Sequence, residues 1–443
     1  MNKPWSQVEL IREAFHYQSR FDGSTMVFKI DFPVTEHPVF PSLVKDLSLL
    51  AQTGFRVLIV PGAKERIDTI LKENNITCGC KGSARISSAQ AMPFVKMAAF
   101  DSATRFITAF SGSRVDAIIG NFVRARGLGV INGVDMEHSG TVDKFYLDSM
   151  RRVLELGMVP ILPCIGWSPS GKPYNVPSDE IALEAAVKLK AVKFFIISLS
   201  GGLKKDRYSI PGGIETGEDG RIIRLSPQEA ARVLELNSGS QNTNKDDKAL
   251  AELELAVKAS SGGVERVHII GGDEEGAVLK ELFSNLGAGT MVYADEYESI
   301  RGIKSRDIPE ILRLMEPLMQ QGSLIRRTLD NIQVNKQDYS VFVIDGQIRA
   351  CGALHDWGEN QAEIAAVATD PAFTALGLGR RMVNYLIDKA KKQNFKRIFA
   401  LTICTHDWFE SLGFNEASVE SLPEKKRRLY DYERKSKVFA LEL

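Results

Sequence analysis

EIAAVATDPAFTALGLGRR, Glu363–Arg381, decides how the last third of the chain is read. Its first half is an apolar run of strand character, Asp370-Pro371 signals a turn, and Gly377 and Gly379 open onto a helical pattern over Gly379–Gln393. A loop at a helix N-terminus offers unpaired backbone N–H groups and the positive end of the helix dipole, so it can hold a pyrophosphate. Neither glycine has a side chain to block a close approach. An ordinary tight turn would read the same way, so the neighbouring sequence has to decide.

Working outward, a helix is expected over Ile308–Met319. Strands follow at Ser340–Ile344 and Gln347–Leu354, joined by the hairpin signal Asp345-Gly346. Gln361–Ala368 and Arg397–Thr402 read as further strands, and Thr405–Leu412 as a helix. The first two-thirds has another rhythm. Apolar runs at Met26–Ile30, Val57–Val60, Val159–Leu162, Phe194–Leu199 and Val267–Ile270 read as buried strands. Helical patterns separate them at Val44–Thr53, Ala63–Asn74, Ala89–Phe110, Asp179–Leu189 and Glu275–Leu286. That alternation predicts a mostly parallel sheet with helices on both faces, an α/β fold. An extra amphipathic segment, Gln7–Ser19, precedes it, and the polar Ser238–Lys248 reads as a surface loop. The change of rhythm places a first domain at 1–292, a linker at 293–299 and an α+β domain at 300–443.

The 443 residues suit two to three domains, and 44% hydrophobic with 25% charged residues suits globular ones. Acidic and basic residues balance at 56 each, so no global charge draws nucleic acid or an anionic membrane. No apolar run is long enough to span a bilayer, and the charged N-terminus is unlike an export signal, so a cytoplasmic location is expected. The five cysteines, with Cys78 and Cys80 about one glycine, lack the spacing of a disulfide framework or zinc site; no metal is expected.

The strand, glycine loop and helix, preceded by a hairpin, resemble the GNAT acetyltransferase family. Its Q/R-x-x-G-x-G/A signature is matched by Thr374-Ala375-Leu376-Gly377-Leu378-Gly379, with Thr374 in place of the usual Gln or Arg. The resemblance implies acetyl-CoA as co-substrate. It would be held by Ala366, Val367 and Ala368 on a splayed strand, by the loop Thr374–Gly379, and by Arg380. The C-terminal run is more specific. WFESLGF, LPEKKRRLY and YERKSKV resemble W-F-x-x-x-G-F, L-P-x-x-x-x-x-L-Y and Y-x-R-K-S-K-V of bacterial N-acetylglutamate synthases, and GSLIRR (Gly322–Arg327) resembles their G-x-L-[VI]-x-R.

Residues 1–292 resemble the amino-acid kinase fold, on LIVPGAKERID, GNFVRARGLGVINGVDMEHSGTV and VERVHIIGGDEEGAVLKELFSNLGAGTMV. Phosphoryl transfer needs lysines and glycine amides around the moving charge. Lys29 and Asp179 are kept. However, the family's Gly-Gly loop reads Ile30-Asp31-Phe32-Pro33, its second asparagine is Pro177, and its second lysine aligns with Glu252. A kinase-inactive regulatory and assembly domain is the expectation. It would have an L-arginine site at Tyr17, His268, Glu281, Gly287 and Gly289, with Phe15 packing nearby. The extra N-terminal helix resembles the interlacing helix of hexameric relatives, so a homo-hexamer is expected.

The implied reaction gives N-acetyl-L-glutamate and CoA from acetyl-CoA and L-glutamate, the first step of arginine biosynthesis. The acceptor ammonium must lose a proton, and Glu363 is the expected base. Thr402 is the expected donor to the thiolate, with Tyr430 as second choice. Two carboxylates call for two cations; Arg326 and Arg434 hold the matching positions beside Leu324. Lys435 is a further neighbour, and Arg327, Arg427 and Arg428 read as surface charges. A bifunctional synthase/kinase, an amino-acid sensor with a degenerate acetyltransferase, and a GNAT enzyme acting on a protein lysine remain alternatives.

Overall fold

A computed structural model describes residues 21–443 apart from 82–83, 213, 215, 218, 239–246, 284–287, 294–297, 345, 372 and 374–376. The chain divides into two compact units, one to Asp295 and one from Glu296.

The first unit is built on β1 (Thr25–Ile30), β2 (Arg56–Pro61), β3 (Ala117–Ile119), β4 (Val159–Ile161), β5 (Lys193–Ser198), β6 (Arg224–Leu225), β7 (Arg266–Gly271) and β8 (Gly289–Tyr293). They lie in the order β6-β8-β7-β5-β1-β2-β4-β3. All pair parallel except β7 with β8. The central strands are apolar throughout because both faces are covered. One core joins Val27, Leu58, Phe194, Ile196 and Val267 to α3 (Ser178–Lys188) and α4 (Lys248–Ser261). The other joins Phe28, Ile59, Phe195 and Ile270 to α1 (Phe40–Gln52) and α2 (Met92–Phe110). A four-stranded sheet over Val123–Gly127, Gly140–Phe145, Ile165–Trp167 and Pro173–Asn175 is an addition with no counterpart in the sequence reading.

The second unit has seven strands: β9 (Glu298–Gly302), β10 (Tyr339–Ile344), β11 (Gln347–Asp356), β12 (Gln361–Thr369), β13 (Arg397–Thr402), β14 (Asn415–Ala417) and β15 (Lys437–Glu442). Their order is β9-β10-β11-β12-β13-β15-β14. Helices α5 (Ile308–Gln320) and α6 (Leu378–Lys392) cover it through Ile311 and Met315, and through Met382, Val383 and Leu386. The expected linker 293–299 is taken up from both ends. Tyr293 closes β8, and Glu298 and Ser299 open β9 opposite Ile344 and Val343. The charged β9 is an edge strand, which needs little apolar content. The segments Gln7–Ser19 and most of Ser238–Lys248 lie outside the described residues, as does Asp345 of the hairpin turn.

Candidate active site

Along β12 the pairing with β13 is parallel and short: Gln361, Ala362 and Glu363 face Arg397, Ile398 and Phe399, and there it ends. β13 continues to Thr402 paired only with β15. Among the described residues, the β13-facing edge of β12 beyond Glu363 therefore has no strand partner. On its other side β12 carries a bulge: Ala365 pairs with Ala353 and Ala368 with Cys351, so Ala366 and Val367 oppose Gly352 alone. Ala366 sits at φ +54°, a left-handed conformation unusual for a residue with a Cβ. The splay opens a hollow between the strands. Ile364, Ala365 and Ala366 wall it on one side and Leu401 on the other, while Leu324, Arg327, Lys426, Tyr430 and Arg434 close over it.

β12 runs on to Asp370, whose carboxylate takes Arg349 Nη1 at 2.7 Å, with the guanidinium 4.4 Å above the Phe373 ring. That clamp fixes the approach to the glycine loop. Gly377 caps α6 at φ +64°, where a side chain would be strained. A Cβ on Gly379 would lie 3.4 Å from Trp408 and 3.6 Å from Thr369, so the backbone at Gly379 packs close to both. Leu378 is fully buried in the core under α6, and Arg380 donates to Ser411 O at 3.2 Å and Oγ at 2.8 Å. Thr374, Ala375 and Leu376 lie outside the described residues. The open strand edge and the left-handed glycine before a 15-residue helix fit a pantetheine arm and a pyrophosphate.

Glu363 stands where the pairing stops and is buried. Lys426 Nζ lies 2.8 Å from its Oε1 and 2.7 Å from its Oε2, and Trp357 Nε1 donates to Oε2 at 2.9 Å. Lys426 also stands 4.7 Å over the Trp357 ring. The sequence reading gave Lys426 no role of its own within the basic run LPEKKRRLY. Arg434 Nη2 donates to Gly322 O at 3.0 Å and Ser323 O at 2.8 Å, tying the C-terminal loop to the 322–324 segment.

Two of the expected residues lie away from the walls of the hollow. Arg326 is exposed and lies outside the walls, whereas Arg327 lines the hollow. Counting along G-x-L-[VI]-x-R from Gly322 also places the arginine at 327. The Tyr339 hydroxyl bonds Arg327, and burial raises the Tyr339 pKa. Thr402 is buried, but its hydroxyl is 2.7 Å from Thr405 Oγ1 and accepts the N–H groups of Cys404 and Thr405, so it closes a turn outside the hollow. Tyr430 is in the wall, with its hydroxyl donating to Ser436 O at 2.7 Å and its pKa raised by burial. Lys435 has a left-handed backbone at φ +52° and takes no part in the walls, and Arg427 and Arg428 are exposed.

In the first unit, Lys29 Nζ lies 2.5 Å from Asp31 and 2.8 Å from Asp179, and Lys248 Nζ lies 2.6 Å from Asp31. Glu252 is buried beside them and accepts from the Ser200 hydroxyl. Burial raises the Glu252 pKa; burial opposes the charge on Lys29, but Asp179, Asp31 and Glu252 raise its pKa further than burial lowers it. Two lysines thus meet three carboxyl groups where a transferring phosphoryl would need positive charge. At the far side of the sheet, Phe28, Phe195 and His268 stack in sequence with ring centroids 4.7 Å apart. His268 Nδ1 donates to Glu281 Oε1 at 2.6 Å, and Glu281 Oε2 accepts the N–H groups of Ala288 at 2.5 Å and Gly289 at 3.2 Å. Burial drops the His268 pKa to about 4; burial works against the Glu281 charge, but the His268 bond outweighs it and lowers that pKa. Tyr17 and Gly287 lie outside the described residues.

Among the described residues no group of three His, Cys, Asp or Glu side chains could hold a metal ion, and no helix is long and apolar enough to cross a membrane. The five cysteines are free thiols.

Comparison with known proteins bears on both units. Residues 23–271 match the amino acid kinase family and residues 308–414 the acetyltransferase (GNAT) family. The amino-acid acetyltransferases of Shigella flexneri and Escherichia coli (strain K12) are each 33% identical to this chain, covering 98% of both partners. N-acetylglutamate synthase from Neisseria gonorrhoeae, solved with coenzyme A and L-arginine, superposes with a TM-score of 0.83 at 32% identity over 99% of both chains. The same enzyme with coenzyme A and N-acetyl-glutamate gives 0.61. With both units matched and the likeness running end to end, the chain belongs to the amino-acid acetyltransferase family, an amino-acid kinase fold followed by a GNAT unit.

Proposed function

We propose that the protein makes N-acetyl-L-glutamate and CoA from acetyl-CoA and L-glutamate, the first step of arginine biosynthesis, under feedback by L-arginine. One observation carries this reading: a buried carboxylate, Glu363, faces a hollow whose other walls present Arg327, Lys426 and Arg434 beside the exposed Asp431. An acceptor with one ammonium and two carboxylates matches that set of charges. Family membership and the relatives' bound ligands support it.

The free edge of β12 from Ile364 to Ala368 offers backbone groups to a pantetheine arm, while Gly377, Leu378, Gly379 and Arg380 at the start of α6 hold the pyrophosphate. Bound there, acetyl-CoA supplies the acetyl group as a thioester. Glu363 takes the proton that the acceptor's ammonium must lose. Tyr430, in the wall, is better placed than Thr402 to donate to the departing thiolate. Thiols ionise near pH 8.5, so this donor assists without being indispensable. Arg327, held by Tyr339, and Arg434 orient the acceptor's carboxylates.

The first unit, with its neutralised lysines, does not transfer phosphoryl groups. It binds L-arginine at His268, Glu281 and the 287–289 turn together with Tyr17, and assembles the chain into a homo-hexamer in the cytoplasm through Gln7–Ser19. The test is thiol release from acetyl-CoA by the purified chain with each common amino acid, with and without arginine. Release specific to L-glutamate is expected; none with glutamate would end the proposal. ATP with N-acetylglutamate is expected to give no ADP, and turnover there would restore the bifunctional reading.

A further inference from the structure

Glu363 cannot receive a substrate ammonium in the arrangement described, because an ammonium is already there. Lys426 Nζ spans both carboxylate oxygens at 2.8 and 2.7 Å, and Trp357 Nε1 occupies a further acceptor site on Oε2. Only 12% of the Lys426 side chain and 8% of the Glu363 side chain is exposed, so the pair is more than a surface contact. The lysine is presented by the short turn Glu424–Arg427, held in place by the buried Leu422 before it and by the Glu424 N–H on Glu359. Both partners face the hollow that Arg327 and Arg434 also line.

We propose that Lys426 is a resting occupant of the amine subsite and exchanges partners when the acceptor binds. The inference rests on the functional reading above in taking the acceptor to be an amino acid with two carboxylates. The incoming ammonium takes the lysine's seat on Glu363, and the lysine turns to a carboxylate of the same molecule. One ion pair becomes two in the exchange, so no buried charge is left alone, which would be the costly outcome. An amine without carboxylates has nothing to offer Lys426 and must displace it unaided. The device thus selects an acidic amino acid and keeps Glu363 covered until one arrives. Lys426 acts here as a specificity-determining and positioning residue.

Calorimetric binding of two dead-end probes to the full chain, with CoA present, tests the exchange without requiring turnover. Glutarate has the two carboxylates and no amine; propylammonium has the amine and no carboxylate. In K426M, glutarate affinity is expected to fall about tenfold or more, because the Glu363 carboxylate then faces the dianion without its counter-charge. Propylammonium affinity is expected to rise about threefold or more, because the subsite is no longer self-occupied. K426R should restore wild-type behaviour for both. Opposite signs are the signature, since a merely structural loss weakens both probes. Both moving together, or neither moving, overturns the proposal. If K426M lacks the wild-type melting midpoint, K426Q takes its place with the same two outcomes. Thiol release by the wild-type chain with glutamate is scored separately, so loss of the functional reading and loss of the exchange are distinct results.

Discussion

Arg326 and Arg327 are neighbours in sequence, but only the second lines the hollow. The sequence offered two adjacent arginines in a loop and no periodicity to orient them; Tyr339, from a strand, draws Arg327 inward. Replacing Arg327 by alanine should raise the apparent KM for glutamate about tenfold or more, as loss of a charged hydrogen bond does. R326A should leave it within about twofold, as exposed charges do. Equal effects in the two variants would mean that the loop turns over when substrate binds. Glu363 was named as the expected base on the family resemblance, whereas its partner Lys426 was not, because a lysine in EKKR reads as solvated until the turn that carries it is seen. E363Q, which keeps the shape but cannot take a proton, should cut kcat by about 100-fold or more with little change in acetyl-CoA KM. Unaltered kcat would remove Glu363 as the base.

At the scale of elements, strands and helices with strong apolar patterns were readable: β1, β2, β4, β5 and β7, α1 to α3, α5 and α6, and the hairpin β10–β11 all follow from burial on two faces or one, whereas α4 over Lys248–Ser261 was not among the expected helices. The short four-stranded sheet and β9 were not, since Val123–Gly127 reads VRARG and β9, an edge strand, reads ESIRG, each half polar. The splay of β12 from β13 was implied by the family resemblance, but the bulge at Ala366 that accompanies it needs coordinates, because alanine carries no signal for φ +54°. A different element, α1, makes a pH prediction. Asp46 is buried on this helix, its Oδ2 finds no hydrogen-bond partner, and burial together with Glu275 raises its pKa from the ordinary 3.8 to about 6. The native state therefore holds this proton more tightly than the unfolded chain does. Stability from this site is full below pH 4 and is lost as pH rises through 6. D46N, neutral at every pH, should raise Tm by about 2 °C or more at pH 7.5 and by nothing at pH 4. A gain that persisted at pH 4 would assign the effect to packing.

The whole molecule joins a unit whose fold is that of a kinase to one that carries acyl-transfer chemistry. The arginine site proposed for the first unit is built on His268 of β7 and on Glu281. Glu281 has two oxygens with about four acceptor sites, and three are in use, by His268 and by the Ala288 and Gly289 amides. The fourth, on an ionised carboxylate fixed in orientation, suits a guanidinium. A ligand that binds only the native chain raises its melting midpoint in proportion to the logarithm of its concentration over Kd. L-arginine should therefore raise Tm of the wild-type chain. In E281Q the negative charge is gone and a single oxygen remains, which can accept from His268 or from the Ala288 and Gly289 amides but not from both. The arginine-dependent rise should then require about tenfold more arginine, and any effect of arginine on acetyl transfer should shift by the same factor, since coupling between two binding sites is reciprocal. Acetyl transfer without arginine should be unchanged, because Glu281 belongs to the other unit. An E281Q chain that melts with the wild-type arginine dependence would place the effector elsewhere. One whose basal rate falls with its arginine response would show that Glu281 holds the molecule together rather than reading a ligand.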